Sequence, residues 1–99
     1  MTNAITLKIF GQDGCRPCSM FKTVIESERD DIEALGVTIE YVDLTRGVRD
    51  DRAYIIDKYG IMSTPVTVLE RNGHVMATVR GIVNVRELYD MIEHAKTAK

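Results

Sequence analysis

Cysteine is scarce in this chain, with two in 99 residues, and a bridge between positions three apart closes too short a loop to restrain an unfolded chain much. A structural disulfide framework is therefore excluded, and the value of the pair has to be chemical. Basic charge is not in excess either: 13 Lys and Arg stand against 15 Asp and Glu, for a formal charge of -2, which argues against phosphate backbones as partners. No apolar run approaches the roughly 20 residues of a membrane helix. The start Met1-Thr2-Asn3-Ala4 lacks the basic and apolar regions of a secretory signal. These absences set the expectation of a cytoplasmic protein that binds neither nucleic acid nor membrane. There is also no internal repeat, linker or low-complexity segment, so residues 1–99, with 44% hydrophobic content, are expected to form a single domain with a modest core.

What is present is clear alternation of pattern. Ile5, Leu7 and Ile9 alternate with Thr6, Lys8 and Phe10, the period of a short strand ending at Gly11. From Pro17 to Leu35 the apolar positions Met20, Phe21, Val24, Ile25, Ile32 and Leu35 fall mostly three or four apart, which predicts one amphipathic helix stopped by Gly36. Val37 to Asp43 reads as a second strand, expected to run parallel to the first because a helix joins them. A loop from Thr45 to Asp51 leads into a helix over about Asp50 to Tyr59 with Gly60 as its cap. Pro65 to Glu70 and Val75 to Val79 flank Asn72-Gly73, a strong hairpin signal. A last helix carries Val85, Leu88, Tyr89, Ile92 and Ala95, with Asn84 placed to cap it. The order is β-α-β-α-β-β-α, an α/β chain.

Gly14-Cys15-Arg16-Pro17-Cys18 lies where the first strand hands over to the first helix. Cys15 falls at the helix N-terminus, where unpaired N–H groups and the helix dipole favour thiolate over thiol. Arg16 adds positive charge in the same sense and Asp13 opposes it. Cys18, one turn inward, is expected to be more buried and to act as the resolving thiol. Pro17 suits the first helical turn and stiffens the segment between the sulfurs. Inert core cysteines are the bland alternative, but burial alone does not ask for a proline between two cysteines at a strand-to-helix turn. A zinc site needs about four ligands, and only His74 and His94 accompany the thiols, on different elements. Ser19 stands where attachment of c-type haem needs His. No metal and no cofactor is expected beyond a redox-active Cys15–Cys18 disulfide.

Two stretches together resemble the thioredoxin and glutaredoxin superfamily over nearly the whole chain. The first is the strand, Cys15-Arg16-Pro17-Cys18 and helix; the second runs from Lys58 through Thr64-Pro65 to Asn72-Gly73. The resemblance implies a minimal thioredoxin fold, with a mixed four-stranded sheet flanked by helices. It implies that Pro65 is cis and packs against the cysteines, that the Thr64 backbone pairs with an extended substrate, and that Gly81 lines the substrate groove. Like the smaller glutaredoxins, the chain begins directly with the strand before the cysteines. Ile9 stands where thioredoxins place a buried aspartate, whereas Pro17 directly before the second cysteine is thioredoxin-like. Glutaredoxins bind glutathione with a Gly-Gly turn and an aspartate; the run here is Arg80-Gly81-Ile82-Val83-Asn84, with one glycine and an uncharged cap. Arg80, Arg46, Arg49 and Arg52 read as a solvated surface.

The implied function is thiol-disulfide oxidoreduction of protein disulfides, with Cys15 attacking, Cys18 resolving, and either a thioredoxin reductase or glutathione as electron donor. Ribonucleotide reductase is a further partner that the resemblance suggests, and a monomer is expected. The alternative is a non-catalytic interaction or redox-sensing module that offers the Thr64-Pro65 groove as a docking edge. A third reading, cluster binding between two subunits, is disfavoured by the stiffness of Pro17 and the small number of thiols.

Overall fold

The computed structural model describes residues 4–45 and 49–98, the side chains of 49–52 excepted. Arg46 and Gly47, and the side chains of Arg49 and Arg52, lie outside the described residues. The elements follow in the order β1 (Ile5–Gly11), α1 (Arg16–Ser27), α2 (Arg29–Ala34), β2 (Val37–Asp43), α3 (Arg49–Tyr59), β3 (Val66–Arg71), β4 (His74–Arg80) and α4 (Val85–Thr97). The four strands form one mixed sheet in the order β2-β1-β3-β4. As the crossover helix requires, β1 pairs parallel with β2, Ile5 facing Val37 and Gly11 facing Asp43. β3 runs antiparallel to both β1 and β4. This is the expected minimal thioredoxin arrangement.

Period-2 alternation decides which side chain meets which layer. On one face Ile5, Leu7, Ile9 and Leu69 pack with Phe21 and Ile25 of α1, Ile32 of α2, and Leu88, Ile92 and Ala95 of α4. On the other, Phe10, Val66 and Val68 pack with Leu44 and Ile61 and with Ile55, Ile56 and Tyr59 of α3. The strand β3 is therefore covered on both faces, and Val66 through Glu70 are all buried, the continuous pattern of a central strand. Each large apolar side chain so buried stabilises the fold by about 1.5–3 kcal/mol relative to exposure.

The single helix expected over residues 17–35 is two helices. The Ser27 hydroxyl donates to the Val24 carbonyl at 2.6 Å, and the Glu28 N–H donates to the Ile25 carbonyl at 3.0 Å, three residues back where α-helix needs four. Local side-chain bonding of this kind competes with the helical ladder. Glu28 (φ -105°, ψ 3°) closes α1 and opens α2, while Asp30 and Asp31 sit in the first turn of α2, where negative charge is favoured. Arg29 spans the break, pairing with Glu26 at 2.7 Å and Glu33 at 3.1 Å.

Two ends are set by glycine as expected. At Gly60 (φ +63°) the Ile61 N–H reaches back to the Ile56 carbonyl at 3.0 Å and the Gly60 N–H to Asp57 at 3.4 Å, the Schellman ending of a helix. At the hairpin, Asn72 (φ 52°) and Gly73 (φ 82°) both take the left-handed conformation that a type I′ turn demands. Asn72 also clamps the start of β1: its N–H donates to the Ala4 carbonyl at 2.8 Å and its Oδ1 accepts from the Ala4 N–H at 3.0 Å.

Candidate active site

The sheet brings the end of β1 and the start of β3 to the same pole, because Phe10 pairs with Val66. The turn after Gly11 is tied to the end of β2. The Leu44 N–H donates to the Gly11 carbonyl at 2.9 Å, and the Asp13 N–H donates to Thr45 Oγ1 at 2.8 Å. From this anchored turn α1 starts, with Cys15 as its N-cap.

Cys15 and Cys18 are joined by a disulfide, their Cα atoms 5.2 Å apart. Cys15 Sγ accepts the Cys18 N–H at 3.2 Å, so the sulfur does for the helix what a serine or aspartate oxygen does at an ordinary N-cap. From the other side the Thr64 hydroxyl donates to the same sulfur at 3.4 Å, and the Thr64 carbonyl oxygen lies 3.7 Å from it. Two donors and a helix N-terminus converging on one sulfur favour the negative charge it carries as a thiolate. Both cysteines are half-buried. What separates them is the set of donors on Cys15.

The Thr64–Pro65 peptide bond is cis, as the resemblance implies, and Pro65 is buried while Thr64 is half-buried. Gly81 meets this segment: its N–H donates to the Pro65 carbonyl at 2.9 Å. Arg80, read from sequence as a solvated charge, donates to the Gly60 carbonyl at 3.1 Å, so the segment from Gly60 to Pro65 is held at both ends from the end of β4. Arg16 and Pro17 are exposed beside the disulfide, and Met62 and Ile82 expose apolar surface, 89% and 52%. The predicted residues Cys15, Arg16, Pro17, Cys18, Thr64, Pro65 and Gly81 are thus assembled at one pole. His74 and His94 do not join them, and among the described residues there is no cluster of three or more metal-ligating side chains.

Sequence reasoning missed a cleft behind the disulfide. It lies between α1 and β2, encloses about 200 Å³, and is lined by Gly11, Cys18, Lys22, Tyr41 and Asp43 among others. One signal for it was available: Lys22 stands four residues after Cys18, on the same helix face. Lys22 Nζ sits 4.9 Å from the centre of the Tyr41 ring, and the Tyr41 hydroxyl donates to Glu26 at 2.6 Å. Hydrogen bonds from Arg29 first and Tyr41 second lower the Glu26 carboxyl to about 2. Burial, and then the bond to the Glu26 carboxylate, push the Tyr41 phenol up.

Similarity to known proteins agrees with this geometry. A thioredoxin-like domain model matches residues 2–96. Among curated proteins no sequence relative is detected. Among solved structures, a thioredoxin mutant from Halobacterium salinarum superposes with a TM-score of 0.77 at 26% identity, over 98% of this chain and 79% of that one. A malarial protein gives 0.76 at 20% identity, over 94% of this chain and 98% of that one. Thioredoxin-2, a component of the malaria parasite protein secretion machinery, gives 0.70 at 23% identity, over 94% and 84%. The last two are similar in fold alone. With the family model spanning almost the whole chain and a Cys-x-x-Cys disulfide capping the helix after β1, this chain belongs to the thioredoxin-like family and carries the pair that thiol-disulfide oxidoreductases use.

Proposed function

We propose that the protein reduces disulfides in protein substrates by dithiol exchange through Cys15 and Cys18. The observation that carries this reading is the convergence of the Cys18 N–H and the Thr64 hydroxyl on Cys15 Sγ. A sulfur so placed is both a stabilised thiolate and a good leaving group. Reduced Cys15 attacks the substrate disulfide, expelling one substrate thiolate and forming a mixed disulfide. Cys18 then attacks Cys15 Sγ, releases the second substrate thiolate and closes the bond seen here. Met62 and Ile82, with the backbone of Thr64 and Gly81, offer the substrate an apolar and hydrogen-bonding edge.

An outside reductant restores the thiols. Asn84 Oδ1 caps α4 by accepting the Glu87 N–H at 2.8 Å, so an amide stands where glutaredoxins carry their glutathione-binding aspartate, which supports a thioredoxin reductase over glutathione as donor. The proposal takes ribonucleotide reductase as one of the disulfide-bearing substrates, and it includes a monomeric state and residence in the cytoplasm. Among the described residues no helix is long and apolar enough to cross a membrane.

The test is turnover of a model protein disulfide such as insulin, with either a thioredoxin reductase or glutathione supplying electrons. Cys15→Ser abolishes turnover, and Cys18→Ser accumulates a mixed disulfide visible by mass. Equal residual activity in both variants would remove the assignment of roles. A reduction potential near about -270 mV favours a thioredoxin-type donor, and one of about -200 to -230 mV favours glutathione. A reversible disulfide with no turnover would leave a redox-sensing module instead.

A further inference from the structure

Resolution of a mixed disulfide requires that Cys18 lose a proton, since the thiolate and not the thiol attacks. On β1, among the described residues, the side chain lining this region beside Cys18 is Ile9, apolar and 4% exposed, so that strand offers no acceptor for the proton. The way outward is different. Cys18 forms part of the wall of the cleft between α1 and β2, whose volume of about 200 Å³ leaves room for several water molecules at roughly 30 Å³ each.

Gly11 makes this opening. A Cβ at that position would lie 3.4 Å from Cys18 Cβ and 3.5 Å from its Sγ, so any longer side chain on Gly11 fills the cleft against the sulfur. Lys22 supplies the charge. It follows Cys18 by one helical turn, a spacing that puts Cβ atoms about 5–6 Å apart, and its ammonium is steadied over the Tyr41 ring, with the Glu26 carboxylate of the next turn also within Coulombic reach. The other charged or titratable groups lining the cleft, among the described residues, are Asp13 from the turn after β1 and Tyr41 and Asp43 from β2. Both carboxylates oppose a thiolate, and Asp43 also accepts the Thr45 N–H at 2.8 Å.

Resting on the dithiol reading above, we propose that this cleft is the proton exit of the resolving thiol: Cys18 releases its proton to solvent there, Lys22 steadies the thiolate that remains, and Gly11 keeps the way open. The step balances. The proton goes to solvent, the Cys18 Sγ–Cys15 Sγ bond forms, the bond from Cys15 Sγ to the substrate sulfur breaks, and its electron pair leaves as substrate thiolate.

Stopped-flow reaction of the reduced full chain with dithiobis-nitrobenzoate separates the two steps, because each releases one coloured thiolate. The first phase reports attack by Cys15 and the second resolution by Cys18. In Lys22→Met the second phase slows relative to the first by about two- to five-fold at neutral pH, the range of an exposed charge pair, and its pH midpoint moves up. Lys22→Arg restores both. Gly11→Val slows the second phase by filling the cleft. Asp43→Asn moves the midpoint down, since it removes an opposing charge. An unchanged second phase in Lys22→Met overturns the proposal while leaving the dithiol reading intact. A slower one in Asp43→Asn overturns solvent release in favour of a carboxylate relay. A wild-type chain that releases one equivalent of coloured thiolate instead of two overturns the dithiol reading itself, and this proposal with it.

Discussion

The Thr64 hydroxyl donates to Cys15 Sγ at 3.4 Å across 49 residues of sequence. Together with the Thr64 carbonyl at 3.7 Å, it brings the segment between α3 and β3 against the sulfur that caps α1, and it adds a side-chain donor to the backbone N–H of Cys18 on the same atom.

Replacing Thr64 by Val keeps the shape and removes that donor. A hydrogen bond to a charged acceptor contributes about 1.5–3 kcal/mol when well made. At 3.4 Å and half-exposed this one falls below that range, so the pH midpoint of Cys15 alkylation in the reduced chain rises by roughly half to one unit. The sign follows from removing a donor that favours the charged form. A midpoint that does not move would confine the contact to the disulfide state.

A second prediction concerns the far end of the α3 side of the sheet. Glu70, 5% exposed, accepts from Lys8 at 2.7 Å and from the Tyr59 hydroxyl at 3.2 Å. The Glu70 hydrogen bond first raises the Lys8 pKa above its ordinary value, against a smaller opposing effect of burial. The stabilisation it represents is therefore present at neutral pH and is lost as pH rises through the folded-state value, above 10.5. Among the described residues Lys8→Met leaves the buried carboxylate with the Tyr59 hydroxyl, and it lowers stability in urea by about 2 kcal/mol. That is less than the roughly 3–5 of a fully buried pair, because the Lys8 side chain keeps 24% exposure. Lys8→Met combined with Glu70→Leu recovers most of the loss. A double variant as unstable as the single one would show that the site needs charge and not volume.

Acid titration provides the third. Glu26 is depressed to about 2 by Arg29 and then Tyr41, so its contribution is present above the unfolded value of 4.5 and fades as pH falls through about 2. NMR titration of the side-chain carboxyl is expected to find it still ionised well below the unfolded value of 4.5. Tyr41→Phe removes a donor to the carboxylate and moves the midpoint up, more modestly in salt because the group is exposed. An ordinary glutamate midpoint in the wild type would mean that the Glu26–Tyr41–Arg29 cluster does not persist in solution.

The elements that carry the chemistry were legible in the sequence because each is announced locally. The cysteine spacing, Pro17 in the first turn, Gly60 closing α3 and Asn72-Gly73 turning the hairpin all act within a few residues. The break at Glu28 was not legible. Ile25 and Ile32 are seven residues apart, which is two helical turns with or without an interruption, so periodicity cannot register a bend made by the Ser27 hydroxyl. The cleft beside Cys18 and the bond from Arg80 to Gly60 were missed for another reason. They depend on which loops the sheet order sets side by side, and neither Gly11 nor Arg80 looks unusual where it stands in the chain.

The clamp between Asn72 and Ala4 has a practical consequence for attaching the protein to other things. It closes the pole opposite the disulfide, with β3 running the whole distance between them, six residues or about 20 Å. A fluorophore or surface linker carried on exposed His74, just past the turn, would stand clear of the sulfurs and of the Met62 and Ile82 rim. The molecule thus has a natural handle at one pole, and immobilising it there leaves the pole that carries the Cys15–Cys18 disulfide unobstructed.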